Sequence, residues 1–377
     1  MSQSKPKVLF FSPTTYNTPL DESIKKKFEI LSSIANLKVF AYKNNKRNNK
    51  ESSQFYLFRK PKNRLYRFIK SVFISLFLMR KHFSKADIVV FQEPILSTFS
   101  LLSISTLKNP PKVVVESHGD FINTIVLEKN LIFPSAYKYI FKKMASYTLT
   151  KADCIRVISS STRSQVGLFV ESKPIVEFPA WIDLNLFLEK TYNPSPDNIL
   201  FLGSVTERKN PLLILRSLNY LREKIDFKVD IVGPQTNKEY LRLINNYIDH
   251  NKLSSKVRIK GQVPINEVAR YLSEATLLIL PSVSEGLGRV ILEAQAVGCP
   301  VLVSDAGGMK DLIDDGETGF IFNNNNLEDF SEKISYILSN NDLRKKVSSN
   351  GRRKVLNYHE SQSFINGYKD IFQKVAK

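Results

Sequence analysis

Apolar residues along this chain gather into short continuous runs, separated by stretches long enough for a helix. Lys7 to Phe11, Ala86 to Phe91, Lys112 to Glu116 and Asp153 to Ser159 are such runs in the first half. Asn198 to Gly203, Phe227 to Gly233, Lys256 to Gly261 and Thr276 to Pro281 are their counterparts in the second. Strands buried on both faces need apolar runs of this kind, and helix-length spacers between them are the mark of parallel sheets. The pattern therefore predicts an α/β protein. Ser12-Pro13 is expected to end the first strand as a turn, and helices are expected over about 21–34, 159–169, 327–338, 342–356 and from His359 onward.

A chain of 377 residues is too long for one ordinary core, so two domains are expected. Pro194-Ser-Pro196 reads as the linker. The expected division is residues 1–190, residues 195–356 and a final helix over 357–377. The two cysteines, Cys154 and Cys299, lie in or beside apolar runs, which favours buried thiols over a disulfide or a metal site. Met1 to Lys7 leads straight into Val-Leu-Phe-Phe, too short for a signal sequence, so a cytoplasmic protein is expected. A formal charge of +19 leaves three classes of partner open: nucleic acid, an anionic membrane, or an anionic substrate.

Candidate chemistry concentrates in Pro281-Ser-Val-Ser-Glu285-Gly286-Leu287-Gly288-Arg289, which reads as a loop between a strand and a helix. The helix N-terminus supplies unpaired N–H groups and partial positive charge, and the two glycines allow a phosphate to approach the main chain. Glu285 in the loop and Glu293 about two turns into the helix would meet different parts of one elongated ligand. A sugar nucleotide fits: diphosphate at the helix end, ribose hydroxyls on Glu293, the sugar on Glu285. Read alone, the two glutamates could equally be a solvated helix face.

Together with residues 298–320, this stretch resembles the C-terminal domain of the retaining glycosyltransferases of family 4. The match is a set: two glutamates separated by seven residues, the strand from Gly298-Cys-Pro-Val301, the Gly307-Gly308 turn, and a Gly316-Glu-Thr-Gly319-Phe320 hairpin. The resemblance implies the GT-B fold, two Rossmann-like, doubly wound parallel-sheet domains facing a central cleft. It implies transfer of a hexosyl unit from a nucleotide diphosphate sugar to a glycan or lipid-linked acceptor, with no cofactor. Lys209 stands where the family binds the donor diphosphate, Ser204 replaces the usual arginine, Arg208 is a candidate substitute, and Asn210 replaces a glycine. His118, in Glu116-Ser-His118-Gly-Asp120, is similar in position to a family histidine that meets the transferred sugar; on its own it could be structural. Asp183 and Phe187 match the family's interdomain segment, while Ser-Pro-Thr-Thr-Tyr stands where the first loop often carries Gly-Gly.

The resemblance assigns Glu285, His118 and Lys209 to catalysis, and Arg208, Lys209, Glu285, Gly286, Leu287, Gly288, Arg289 and Glu293 to the donor. No Asp-x-Asp occurs and the four histidines are scattered, so a metal-independent reaction is expected. Residues 58–85 interleave cations with apolar side chains but are too short in their apolar part to cross a bilayer. They read either as a helix at an anionic membrane surface or as one packed on the sheet. The Asn44 to Lys50 run reads as a solvated loop. Two other functions stay in view. A sugar-nucleotide epimerase needs the same cradle but no acceptor, and a nucleic-acid-binding protein needs a reading module that the sequence does not show.

Overall fold

The computed structural model describes residues 5–16, 18–43, 54–60, 70, 72–122, 133–221, 223, 225–359 and 361–376, without the side chains of 13 and 357–359. The Asn44 to Lys50 run lies outside them, as does most of the first half of the basic stretch. The chain forms two compact units. Described residues up to 182 together with 361–376 make the first, and 183–359 make the second.

In the first unit the described strands are β1 (Lys7–Tyr16), β2 (Asn36–Lys43), β3 (Phe55–Arg59), β4 (Ile88–Phe91), β5 (Lys112–Ser117), β6 (Cys154–Val157) and β7 (Ile175–Glu177). They pair in parallel in the order β3-β2-β1-β4-β5-β6-β7. Strands such as Ile-Val-Val-Phe at 88–91 are buried at every position because helices cover both faces. In the second unit β8 (Asn198–Leu202), β9 (Lys228–Val232), β10 (Val257–Lys260), β11 (Leu277–Leu280), β12 (Val301–Ser304) and β13 (Phe320–Phe322) take the order β10-β9-β8-β11-β12-β13, again parallel. Each sheet reverses its winding direction once, between β1 and β4 and between β8 and β11. In open α/β sheets the loops leaving the carboxyl ends at such a point frame the ligand crevice.

Three local expectations need correction. Ser12-Pro13 does not end the first strand: β1 runs on to Tyr16, with its register against β2 shifting between Phe11 and Thr15. An irregularity of this kind accommodates a residue without a backbone N–H. Phe58 and Arg59 belong to the edge strand β3, so the basic stretch is not helical from its start; its described helical part includes a π-turn at Ile74–Leu78 and the helix Arg80–Phe83. The Gly316-to-Phe320 segment is a turn and not a hairpin, because β13 pairs parallel with β12.

The helix Ser361–Ala376 packs into the first unit's core. Phe364, Tyr368, Ile371, Phe372 and Val375 recur at helical spacing and bury themselves among Val8, Phe10 and Phe28. Gly367 faces Phe178 so closely that any Cβ there would strike its ring. Cys154 and Cys299 are both free and buried, and burial pushes their thiols up to about 11 and about 12.

Candidate active site

The loops that leave β8 and β11 meet at the second unit's switch point. After β8, Lys209 and Asn210 close a turn through N–H donations to the Thr206 carbonyl at 3.1 and 2.9 Å. Asn210 holds φ at +49°, a left-handed conformation that asparagine tolerates better than most residues. Asn210 can therefore replace a glycine here without changing the turn. The main chains of the two loops are tied by Val283 N–H donating to the Arg208 carbonyl at 2.8 Å.

This tie brings two cations onto one carboxylate. Arg208 Nη1 donates to the Ser284 carbonyl at 2.9 Å and faces Glu285 Oε2 at 3.4 Å, while the Lys209 ammonium bonds the same Glu285 oxygen. All three side chains are between 14% and 18% exposed, so their charges interact with less screening than at an open surface. From the far side, Gly308 N–H donates to the Glu285 carbonyl at 3.2 Å. A Cβ at Gly307, which holds φ at +64°, would run into that carbonyl. The Gly307-Gly308 turn thus fixes where the Glu285 backbone can lie.

Gly288 caps the helix Arg289–Val297 with φ at +77°, and a Cβ on it would crowd Ile291 and Met309. Leu287 just before it is buried. The first-turn N–H groups of this helix adjoin the loop that carries Glu285 and Gly286. Arg289 is exposed, with Nη2 3.9 Å from Glu293 Oε1. Burial pushes the Glu293 carboxyl above its usual range, and Arg289 only partly opposes this.

In the first unit, Glu116 at the end of β5 faces His118 Nε2 at 2.8 Å. Glu116 also accepts from Arg156 at 3.2 Å, from Gln92 at 3.3 Å and from the Tyr368 hydroxyl. Burial raises the Glu116 carboxyl, but Arg156 and the His118 hydrogen bond outweigh it and hold the group well below the ordinary carboxylate range. Burial lowers His118 in spite of Glu116. The Arg156 guanidinium lies over the rings of Phe178, Phe364 and Tyr368 at 4.1, 5.5 and 5.2 Å. Of the residues singled out in the sequence, Arg208, Lys209, Glu285, Gly286, Leu287, Gly288, Arg289 and Glu293 share two adjoining loops and one helix in the second unit; His118 belongs to the first. Sequence reasoning missed the partners of Glu116. Its one signal was an arginine inside the apolar run Cys-Ile-Arg156-Val, since a charge in a buried strand requires a counter-charge.

The comparisons with known proteins agree with this geometry. Residues 188–354 match the model of the glycosyl transferases group 1. Over that region the chain is similar to that family. The group 1 region coincides with most of the second unit and contains both loops. Over 57% of its length the chain is 28% identical to an uncharacterized glycosyltransferase of Methanocaldococcus jannaschii, and over 59% it is 24% identical to the capsular polysaccharide biosynthesis glycosyltransferase CapM of Staphylococcus aureus. The matches span 57% and 61% of those relatives. Sucrose-phosphate synthase from Thermosynechococcus elongatus shares the fold, with a TM-score of 0.78 over 98% of this chain and 99% of its own at 16% identity. Both parallel-sheet units are thus of the GT-B type. Among the described residues no helix is long and apolar enough to cross a membrane, and no group of three or more histidine, cysteine or acidic side chains could hold a metal ion.

Proposed function

We propose that this protein is a retaining, metal-independent glycosyltransferase that moves a hexosyl unit from a nucleotide diphosphate sugar to a glycan or lipid-linked acceptor. The observation that carries the reading is the convergence of Lys209 and Arg208 on Glu285 beside a glycine-capped helix N-terminus. Two cations and the first-turn N–H groups suit a diphosphate, and they would stabilise the negative charge that grows on it as the sugar departs. Glu285, backed by Gly307 and Gly308, holds sugar hydroxyls; Glu293 holds the ribose, and Gly286, Leu287, Gly288 and Arg289 line the phosphates. His118 contacts the transferred sugar. Because these groups come from protein cations and main chain, the reaction proceeds without a metal ion.

The acceptor reading extends to an anionic membrane surface. Phe73, Phe77 and Leu78 are 51%, 64% and 51% exposed, beside the cations Lys70, Arg80 and Lys81. Apolar side chains left in water among lysines and arginines suit a headgroup layer better than bulk solvent. Arg64 and Arg67 of the same stretch lie outside the described residues.

The test begins with thermal shift against uridine, guanosine and adenosine diphosphate sugars, since a bound donor raises the unfolding temperature. The sugar nucleotide that ranks first is then assayed for transfer to cell-envelope acceptor extracts. Glu285→Gln should lower turnover roughly a hundredfold, as expected for a lost transition-state contact. Near-normal transfer by that variant would remove Glu285 from the site. Epimer formation from donor alone, without transfer, would replace the transferase reading with an epimerase.

A further inference from the structure

The proposed transfer reaction leaves the Glu116–Arg156 pair unused, although both side chains are fully buried. Taking two charges out of water costs more than packing apolar residues of the same volume, so stability alone does not account for the pair. Its placement suggests another purpose. Glu116 is the penultimate residue of β5, two residues before His118, and both carboxylate oxygens are engaged. Arg156 and the Tyr368 hydroxyl converge on Oε1, while His118 Nε2 and Gln92 Nε2 converge on Oε2 at 2.8 and 3.3 Å. Arg156 is itself anchored by Nη2 donating to the Pro179 carbonyl at 3.1 Å and by the three aromatic rings around it.

An ionised carboxylate can only accept, so a ring nitrogen that bonds it must carry the proton. We infer that Glu116, locked by Arg156 and Tyr368, is a positioning residue that holds His118 as the Nε2–H tautomer, so that Nδ1 meets the sugar as a lone-pair acceptor. The His118 side chain is 34% exposed, which leaves part of the ring open to a ligand. The contact with sugar rests on the proposed transferase function; the tautomer does not. Tyr368 lies on the helix Ser361–Ala376, so that helix helps to set the histidine.

The test uses the full chain with 15N-labelled histidine, read near pH 7.5 without ligand, and His118 assigned by its loss in His118→Asn. Bare and protonated ring nitrogens have well-separated 15N shifts. Wild type should show a protonated Nε2 and a bare Nδ1; the opposite pattern overturns the inference, even if Glu116→Gln does not fold. In Glu116→Gln, Arg156 and the Tyr368 hydroxyl keep the amide oxygen, and the NH2 group turns to His118. The ring must then accept at Nε2 and carry its proton on Nδ1. An unchanged tautomer in that variant also overturns the inference. With the first-ranked sugar nucleotide, Glu116→Gln should lower kcat roughly 10- to 100-fold while UDP affinity stays within about twofold. A switched tautomer, together with normal transfer by His118→Asn, would support the positioning role and remove His118 from the sugar site.

Discussion

Lys209 and Arg208 meet on a single carboxylate, Glu285, in this corner of the second unit. A diphosphate there would gain charge-assisted hydrogen bonds from groups already held in place. Replacing Lys209 by alanine removes the ammonium and leaves the turn, whose hydrogen bonds are main-chain. UDP binding by Lys209→Ala should weaken roughly 10- to 100-fold by titration calorimetry, equivalent to a lost hydrogen bond between charged groups. Unchanged affinity would show that the diphosphate binds elsewhere. Single residues were unequally legible in the sequence. Glu285, Gly288 and Lys209 stood out because glycines, a proline and a cation crowd into strand-to-helix loops. Glu116, Arg156 and Tyr368 did not, because their bonds join positions 40, 212 and 252 residues apart.

At the level of elements, several fully buried strands and the edge strand β10 were readable in the sequence, while β2 and the edge strands β3 and β7 were not. β4, β8, β11 and β12 are buried at every position and appear in the sequence as unbroken apolar runs. β2 holds a buried apolar run of its own, Val39 to Tyr42, between Lys38 and Lys43 and was still passed over; β3 at the sheet edge is half-exposed and gives no such run. Reading past Pro13 also failed, since a proline usually closes a strand and only its pairing partner reveals that the strand goes on. The helix Ser97–Ile104 offers a test of burial against capping. Glu93 accepts from Ile95 N–H at 2.8 Å and Ser97 N–H at 3.0 Å, yet burial outweighs these bonds and pushes its carboxyl from 4.5 up to about 7. Between those two values the folded chain binds more protons than the unfolded one, so this contribution to stability is complete below about pH 4.5 and is lost as pH rises to about 7. Trp181 is the chain's one tryptophan and packs against the first unit's core, so its fluorescence reports that unit's unfolding. Glu93→Gln keeps an oxygen for only one of the two N–H groups, a loss that does not vary with pH, and removes the titration. Relative to this variant, wild type should lose up to about 3 kcal/mol between about pH 5 and pH 8. Parallel pH profiles for the two proteins would refute the assignment.

Across the whole molecule, 55 lysines and arginines against 36 acidic residues create a field that favours anionic surfaces. Charge alone would give binding that salt abolishes; Phe73 and Phe77 should add a component that salt does not remove. Binding to phosphatidylglycerol vesicles should therefore fall about tenfold or more when Phe73 and Phe77 become serine and Lys70 becomes glutamate, measured by flotation at moderate salt. Equal flotation of wild type and variant would defeat the membrane proposal.

The path of the chain also bears on how it is made. The first unit's core draws Phe364, Tyr368, Ile371, Phe372 and Val375 from beyond the second unit. During synthesis the opening sheet must wait on the order of ten seconds, with apolar surface uncovered, while the intervening residues emerge. The second unit has no such debt and can fold as soon as it leaves the ribosome. A nascent chain halted before residue 361 should accordingly hold one finished body and one that chaperones still recognise.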